Sequence, residues 1–202
     1  MTTKECILYE TLELFSNKGF ESVSMRDIGA AVGIRESSIY KHYSGKQAIL
    51  DAIIEKALYE IDKMFVDLNV PDTNDVTSIS RYQSMELEEV ANLCSEMLLK
   101  QKKNNIVMKF RKFLTIEQFH NESLRDIFIE IFMNRQLMYI EKVFQNLLEF
   151  DVLKGESAKM MALQFYSPFF LLQYKLQDDE ENLEMEIKEC IISFLREHLK
   201  GE

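Results

Sequence analysis

Two short helical patterns that meet at Gly33, between Ser24 and Lys46, constrain the fold of this chain more than any other stretch. Ser24 followed by Asp27 is a Ser-x-x-Asp helix start: the hydroxyl accepts from an orphan backbone N–H, and the acid sits at the positive helix end. Ile28 and Val32, four residues apart, define an inward face, and Gly33 can take the left-handed conformation that ends a helix. After the turn, Ile39 and Tyr43 repeat the inward spacing, which leaves Arg35, Ser37, Ser38, Lys41 and His42 on the outer faces. The spacing predicts a helix-turn-helix, whose second helix can lie in a DNA major groove. The outer residues carry hydrogen-bonding groups suited to bases and phosphates.

The next boundary is Ser44-Gly45-Lys46-Gln47, a Ser-x-x-Gln capping box that opens a helical pattern running from Lys46 to about Asp67. Lys46 then sits in the first turn, where an ammonium disfavours the isolated helix but suits an anion site. A bound phosphate resolves that tension.

Charge distribution agrees with this placement. The net charge of the 202-residue chain is −10, which as a whole argues against nucleic acid. Residues 1–46, however, carry six Lys or Arg and six Asp or Glu, so the whole excess lies beyond them and DNA is expected to meet only the N-terminal end. Cys6, Cys94 and Cys190 are odd in number and widely spaced, as expected of reduced, buried thiols in a cytoplasm. No cleavable apolar leader is evident, and the densest apolar stretch, Met160 to Leu172, is interrupted and too short to span a bilayer, so no membrane partner is expected. His42, His120 and His198 lack metal-ligand spacing, and neither a phosphate-binding Gly loop nor a nucleophile elbow occurs. Nothing calls for an enzyme, a cofactor or a metal.

Beyond residue 46 the apolar spacing is helical in nearly every segment, which predicts an all-α class. Helices are expected over about Ser78–Lys100, Ile106–Phe119, Ser123–Phe150, Ser157–Gln177 and Asn182–Leu199, with breaks at Pro71-Asp72, Asn121 and Gly155. Asp178-Asp179-Glu180-Glu181 reads as a solvated charge run. Phe and Met are frequent here. They fit a packed core, or a deformable apolar pocket lined by Tyr82, Met97, Met108, Phe113, His120, Phe128, Phe132, Phe165, Tyr166, Phe169 and Gln173. Pro168 either bends its helix or splits it with a loop. In the last helix Leu183, Ile187, Cys190, Ile191, Phe194 and Leu195 form an apolar seam that can dock on its own core or on a second subunit.

Ile7-Leu8, Leu14-Phe15, Gly19-Phe20, Ser24, Ile28-Gly29-Ala30, Gly33-Ile34, Ile39-Tyr40, His42-Tyr43 and Lys46 with Leu50 together resemble the N-terminal domain of TetR-family transcriptional regulators. The resemblance covers about a quarter of the chain closely. It implies an N-terminal three-helix DNA-binding domain over residues 1–46 and a fourth, long helix leading into a larger helical effector-binding and dimerisation domain over residues 47–202. It implies phosphate contacts by Ser24, Tyr40, His42 and Lys46, and groove contacts by Arg26, Arg35, Ser37, Ser38 and Lys41. It also implies a homodimer in which the last two helices pair with their copies through Met161, Leu183, Ile187, Ile191, Phe194 and Leu195. The function so implied is a repressor that leaves a palindromic double-stranded operator when a small apolar or amphipathic effector occupies the large domain. The other reading of the residues is a helical ligand-binding or protein-interaction module without operator binding. Arg35 departs from the family pattern, which has Ser or Thr capping the recognition helix there. Losing that cap costs on the order of 1 kcal/mol, which a DNA contact by Arg35 offsets.

Overall fold

The computed structural model describes residues 1–71, 80–175 and 180–200. It is all-α: α1 (Thr3–Lys18), α2 (Met25–Val32), α3 (Glu36–Ile39), α4 (Lys46–Asp67), α5 (Leu87–Lys103), α6 (Asn105–Glu117), α7 (Glu122–Ile129), α8 (Arg135–Glu149), α9 (Ala158–Leu172) and α10 (Glu180–His198). Among the described residues the only β-type pairing outside the helices is an isolated bridge between Leu153 and Leu199. The chain forms two compact units, Met1–Lys63 with Lys103–Ile129, and Met64–Lys102 with Glu130–Glu202.

In the first unit α1 packs against α2 and α6. Two capping boxes start its helices, Thr2 with Glu5 before α1 and Ser24 with Asp27 before α2. Ile7, Phe15, Ile28, Ile39, Ile49 and Phe113 are fully buried and form its apolar centre, and Phe15 stacks on Phe113 with ring centroids 5.4 Å apart. Inward residues from α1, α2, α3, α4 and α6 thus share one interior. Val32, expected to be inward with Ile28, is half-buried beside the cap.

In the second unit α9 packs against α8 and α10. Val143, Phe144, Leu147, Leu153, Met161 and Ala162 form a core cluster, with Phe165 and Phe194 packed onto it. The last helix is tied to the α8–α9 connection by two backbone hydrogen bonds, Lys154 N–H to the His198 carbonyl at 2.7 Å and Lys200 N–H to the Val152 carbonyl at 3.2 Å. Pro168 lies inside α9 without ending it, so the loop alternative is excluded. Among the described residues no helix is long and apolar enough to cross a membrane.

Several boundaries differ from the expected ones. Residues 80–84 form a separate single turn and α5 begins at Leu87, because the Glu89 carboxylate accepts from Glu86 N–H at 2.9 Å and resets the helix start there. The helix expected over 123–150 contains a wide π turn at Glu130–Asn134, where the Phe132 carbonyl accepts a 2.7 Å hydrogen bond from the Tyr166 hydroxyl. The expected start at Ser78, the end at Gln177 and the residues Asp72, Asp178 and Asp179 lie outside the described residues. The expected Ser44–Gln47 capping box is out of register, since α4 begins at Lys46 and the first intrahelical bond runs from Ile49 N–H to the Gly45 carbonyl at 3.3 Å, which makes Gly45 the N-cap. Cys190 is exposed, contrary to the expected buried thiol, and all three cysteines are free.

The apolar seam of α10 faces its own core. Leu183, Ile187, Ile191 and Leu195 are buried within a single chain, as is Met161 of α9, while Phe194 lies between Phe144, Phe165 and His198. A side chain already enclosed by its own subunit has no surface left for another, so Met161, Leu183, Ile187, Ile191 and Leu195 are corrected from interface to core, while Phe194 is half-buried. Ile191→Glu is therefore expected to unfold the second unit, at a cost of several kcal/mol for an unpaired buried carboxylate. A circular-dichroism melt should show a loss of helix and a large drop in Tm; a natively folded monomer would restore Ile191 to the interface.

Candidate functional site

The first unit presents its polar outer residues in one short run. Gly33 closes α2 with φ 76° and ψ 27°, and the Ile34 N–H returns to the Gly29 carbonyl at 2.9 Å. The turn brings α2 against the start of α3: a Cβ built at Gly29 would lie 2.9 Å from the Ile34 carbonyl oxygen and 3.3 Å from the Glu36 nitrogen. Only a residue without a side chain permits that approach. Helix α3 itself is a single turn, extended by the hydrogen bonds His42 N–H to Ile39 O at 2.8 Å and Tyr43 N–H to Ile39 O at 3.0 Å.

Ile39 and Tyr43 anchor this segment. Tyr43 donates from its hydroxyl to the Lys4 carbonyl at 3.3 Å, and burial pushes its phenol above the ordinary range. Arg35, Ser37, Tyr40, Lys41 and His42 are exposed and Ser38 is half-buried, so the outer face that the periodicity predicted is assembled. Arg35 occupies the N-cap of α3 and makes no capping hydrogen bond with its side chain. Glu36 is exposed in the same turn as a single local acid. Arg26 is exposed on α2. The Ser24 hydroxyl is engaged with Asp27, and its hydrogen bonds hold the Asp27 carboxyl below the usual range.

Lys46 is less simple than its position implied. Its Nζ donates to the Phe20 carbonyl at 2.7 Å and lies 4.2 Å from the centre of the Phe20 ring. The unfavourable ammonium at the start of α4 is thus partly compensated within the protein, and of its three N–H groups one is committed there. The same peptide is held from its other side, because Phe20 N–H donates to the buried Glu117 Oε1 at 2.7 Å. Sequence reading missed Glu117; a lone buried acid at the end of an amphipathic helix carries no spacing signal.

The second unit contains a partly open cavity of about 340 Å3. Of the expected lining, Tyr82, Met97, Phe165, Tyr166 and Phe169 are on its wall. Phe132 is buried beside Tyr166 without lining it, and Gln173 is hydrogen-bonded through Nε2 to the wall residue Gln101 at 2.9 Å. Met108, Phe113, His120 and Phe128 belong to the first unit, where Phe113 and Phe128 are core and Met108 and His120 are exposed. They are corrected accordingly, since Phe and Met at helical spacing carry no mark of which interior they fill. Wall residues that the sequence did not single out include Phe65, Cys94, Tyr139 and Phe144. Burial pushes the Tyr82 phenol and the Cys94 thiol each up to about 12, so both are neutral groups at ordinary pH. Among the described residues no three His, Cys, Asp or Glu side chains converge as metal ligands.

Residues 7–53, which span the turn, its anchors and Lys46, match the family of bacterial regulatory proteins called the tetR family. The HTH-type transcriptional regulator YvaF of Bacillus subtilis is 28% identical over 116 residues, which cover 57% of this chain and 59% of that protein. The negative transcriptional regulator IcaR of the biofilm operon icaADBC in Staphylococcus epidermidis is 30% identical over 76 residues, 38% of this chain and 39% of the relative. The matched region thus spans less than two thirds of either relative. A TetR-family regulator structure from Mesorhizobium loti superimposes with a TM-score of 0.68 at 15% identity, covering 98% of this chain and 97% of that one. This likeness shows the fold alone. The tetR-family match covers residues 7–53, about a quarter of the chain.

The tight approach at Gly29 makes a direct test of the turn. Gly29→Ala should destabilise the first unit by about 1–3 kcal/mol, because its methyl group meets backbone atoms that cannot swing aside. Ala30→Ser, one residue on and exposed, should melt within about 0.5 kcal/mol of the parent. Equal melting of the two variants would remove the close approach.

Proposed function

We propose that the chain is a cytoplasmic, dimeric, sequence-specific DNA-binding repressor whose hold on a palindromic operator is released by a small apolar or amphipathic molecule. The observation that carries the reading is the exposed donor run Arg35 to His42 on a turn anchored by Gly29, Ile39 and Tyr43, inside the segment that matches the family. In this reading residues 1–46 are the part that meets DNA. Arg26, Arg35, Ser37, Ser38 and Lys41 face base edges, and Ser24, Tyr40, His42 and Lys46 face phosphates, with Lys46 using N–H groups that Phe20 does not take. IcaR, named as a negative regulator, supports the repressing direction.

Dimerisation supplies the reach of two recognition segments about 34 Å apart, or a multiple of that. With the α10 seam committed to the core, the face that remains lies mainly on α9: Met160, Leu163 and Leu171 are 53%, 48% and 67% exposed, and with Ser167 they recur at helical spacing. On α10, Met185 and Cys190 are also exposed. This face takes the second subunit.

The cavity takes the effector. Helix α4 begins with Lys46 and, 22 residues or roughly 33 Å long, contributes Phe65 to the cavity wall. An effector releases DNA only to the extent that it prefers the arrangement with low DNA affinity. A coupling of about 3 kcal/mol, carried along this helix, weakens binding roughly 150-fold.

Binding-site selection from random duplexes tests the DNA assignment. The parent should enrich one palindromic motif, Arg35→Ala or Lys41→Ala should enrich an altered one, and Lys46→Ala should keep the motif but weaken all sequences, with a shallower salt dependence. Failure of the parent to enrich any motif would leave the helical-module reading. Leu163→Glu combined with Leu171→Glu should give a folded monomer by sedimentation, with helix content unchanged. A double variant that sediments like the parent would exclude this face.

A further inference from the structure

The chemistry of the cavity wall is narrower than "apolar". No Lys, Arg or His lines it among the described residues, and Glu86, exposed, is its single charged residue. A ligand carboxylate would therefore lose its hydration without gaining a cation, and would bring a second negative charge towards Glu86.

The polar end of the wall has a defined direction. Tyr139 donates its hydroxyl proton to the Pro71 carbonyl at 2.8 Å. The Tyr82 and Tyr139 hydroxyls are 2.9 Å apart, so with the Tyr139 proton already given, Tyr82 is the donor of that pair. Both phenolic protons are spent within the protein, and the Tyr82 oxygen offers lone pairs. The wall residue Gln101 already accepts from Gln173 Nε2 at 2.9 Å. Tyr166, the other wall phenol, gives its proton to the Phe132 carbonyl. Gln136 adds an amide that serves in either direction.

From these bonds we infer that the cavity selects an uncharged aromatic or aliphatic molecule with a hydrogen-bond-donating head, such as a phenol, alcohol or arylamine, and rejects carboxylates and donor-free ethers of the same body. The inference rests on the reading of the cavity as the effector site. A volume of about 340 Å3 is at the small end of ligand pockets and suits a compact molecule.

The test uses four probes with one apolar body: 4-butylphenol, 4-butylaniline, 4-butylanisole and 4-butylbenzoate, titrated calorimetrically into the full chain. The phenol and the aniline should bind at least tenfold tighter than the anisole and the benzoate. In a Tyr82→Phe/Tyr139→Phe variant, the phenol's advantage over the anisole should shrink to about threefold or less while the anisole still binds. Benzoate equal to phenol, anisole equal to phenol, or a preference that survives in the double variant would each overturn the inference and leave the cavity as a binding site. Absence of binding by all four would overturn the effector-site reading together with it.

Discussion

The peptide of Phe20 is held from both sides, and the arrangement of the N-terminal unit depends on it. Its N–H ends on Glu117 of α6, its carbonyl on Lys46 at the start of α4, and its ring packs edge-on against Phe15 at 5.2 Å. Three helices distant in sequence are thereby fixed to one turn between α1 and α2. The approach is close enough that a Cβ at Gly19 would lie 2.6 Å from the Glu117 oxygen. Ion pairing of Lys109 with Glu13 and a 2.7 Å hydrogen bond from Lys112 to Asn17 extend the same contact along α1. These outer bonds are exposed or half-exposed and add little on their own; the Phe15–Phe113 stack and the buried Glu117 supply the main hold.

That hold bears on the phosphate contact proposed for Lys46. A lysine at a helix start is unfavourable in isolation, and the Phe20 carbonyl and ring compensate it while also fixing where the ammonium stands. A cation positioned in advance loses less freedom when an anion arrives. The recognition segment is positioned in the same manner, by inward Ile39 and Tyr43 rather than by its own length, since one helical turn has too few internal hydrogen bonds to be stable alone.

The parts of this fold that were legible in the sequence are those set by local rules. The Ser24–Asp27 cap, the Gly33 stop, the inward pair Ile39 and Tyr43 and the all-helical remainder each follow from a few neighbouring residues. What depends on tertiary partners was not legible. Period-3.6 spacing marks a buried face without saying what buries it, so the α10 seam could be read equally as core or interface, and Phe113 and Phe128 as cavity or core. Glu117 was invisible for the converse reason: a buried acid is recognised by the backbone N–H that it accepts from, 97 positions away. The Ser44–Gln47 box was misplaced by one residue, because the helix takes Gly45 as its N-cap.

As proposed, an anchored turn meets DNA, an outer face of α9 gathers a second copy, and the cavity receives the effector. The first of these is the central claim, and fluorescence anisotropy measures it directly. The full chain is titrated against a labelled duplex from upstream of its own gene and against a scrambled duplex of the same composition, at low and physiological salt. The account predicts saturable binding to the upstream duplex at least a thousandfold tighter than to the scrambled one at physiological salt, weakening as salt rises. Equal affinity for the two duplexes would contradict it.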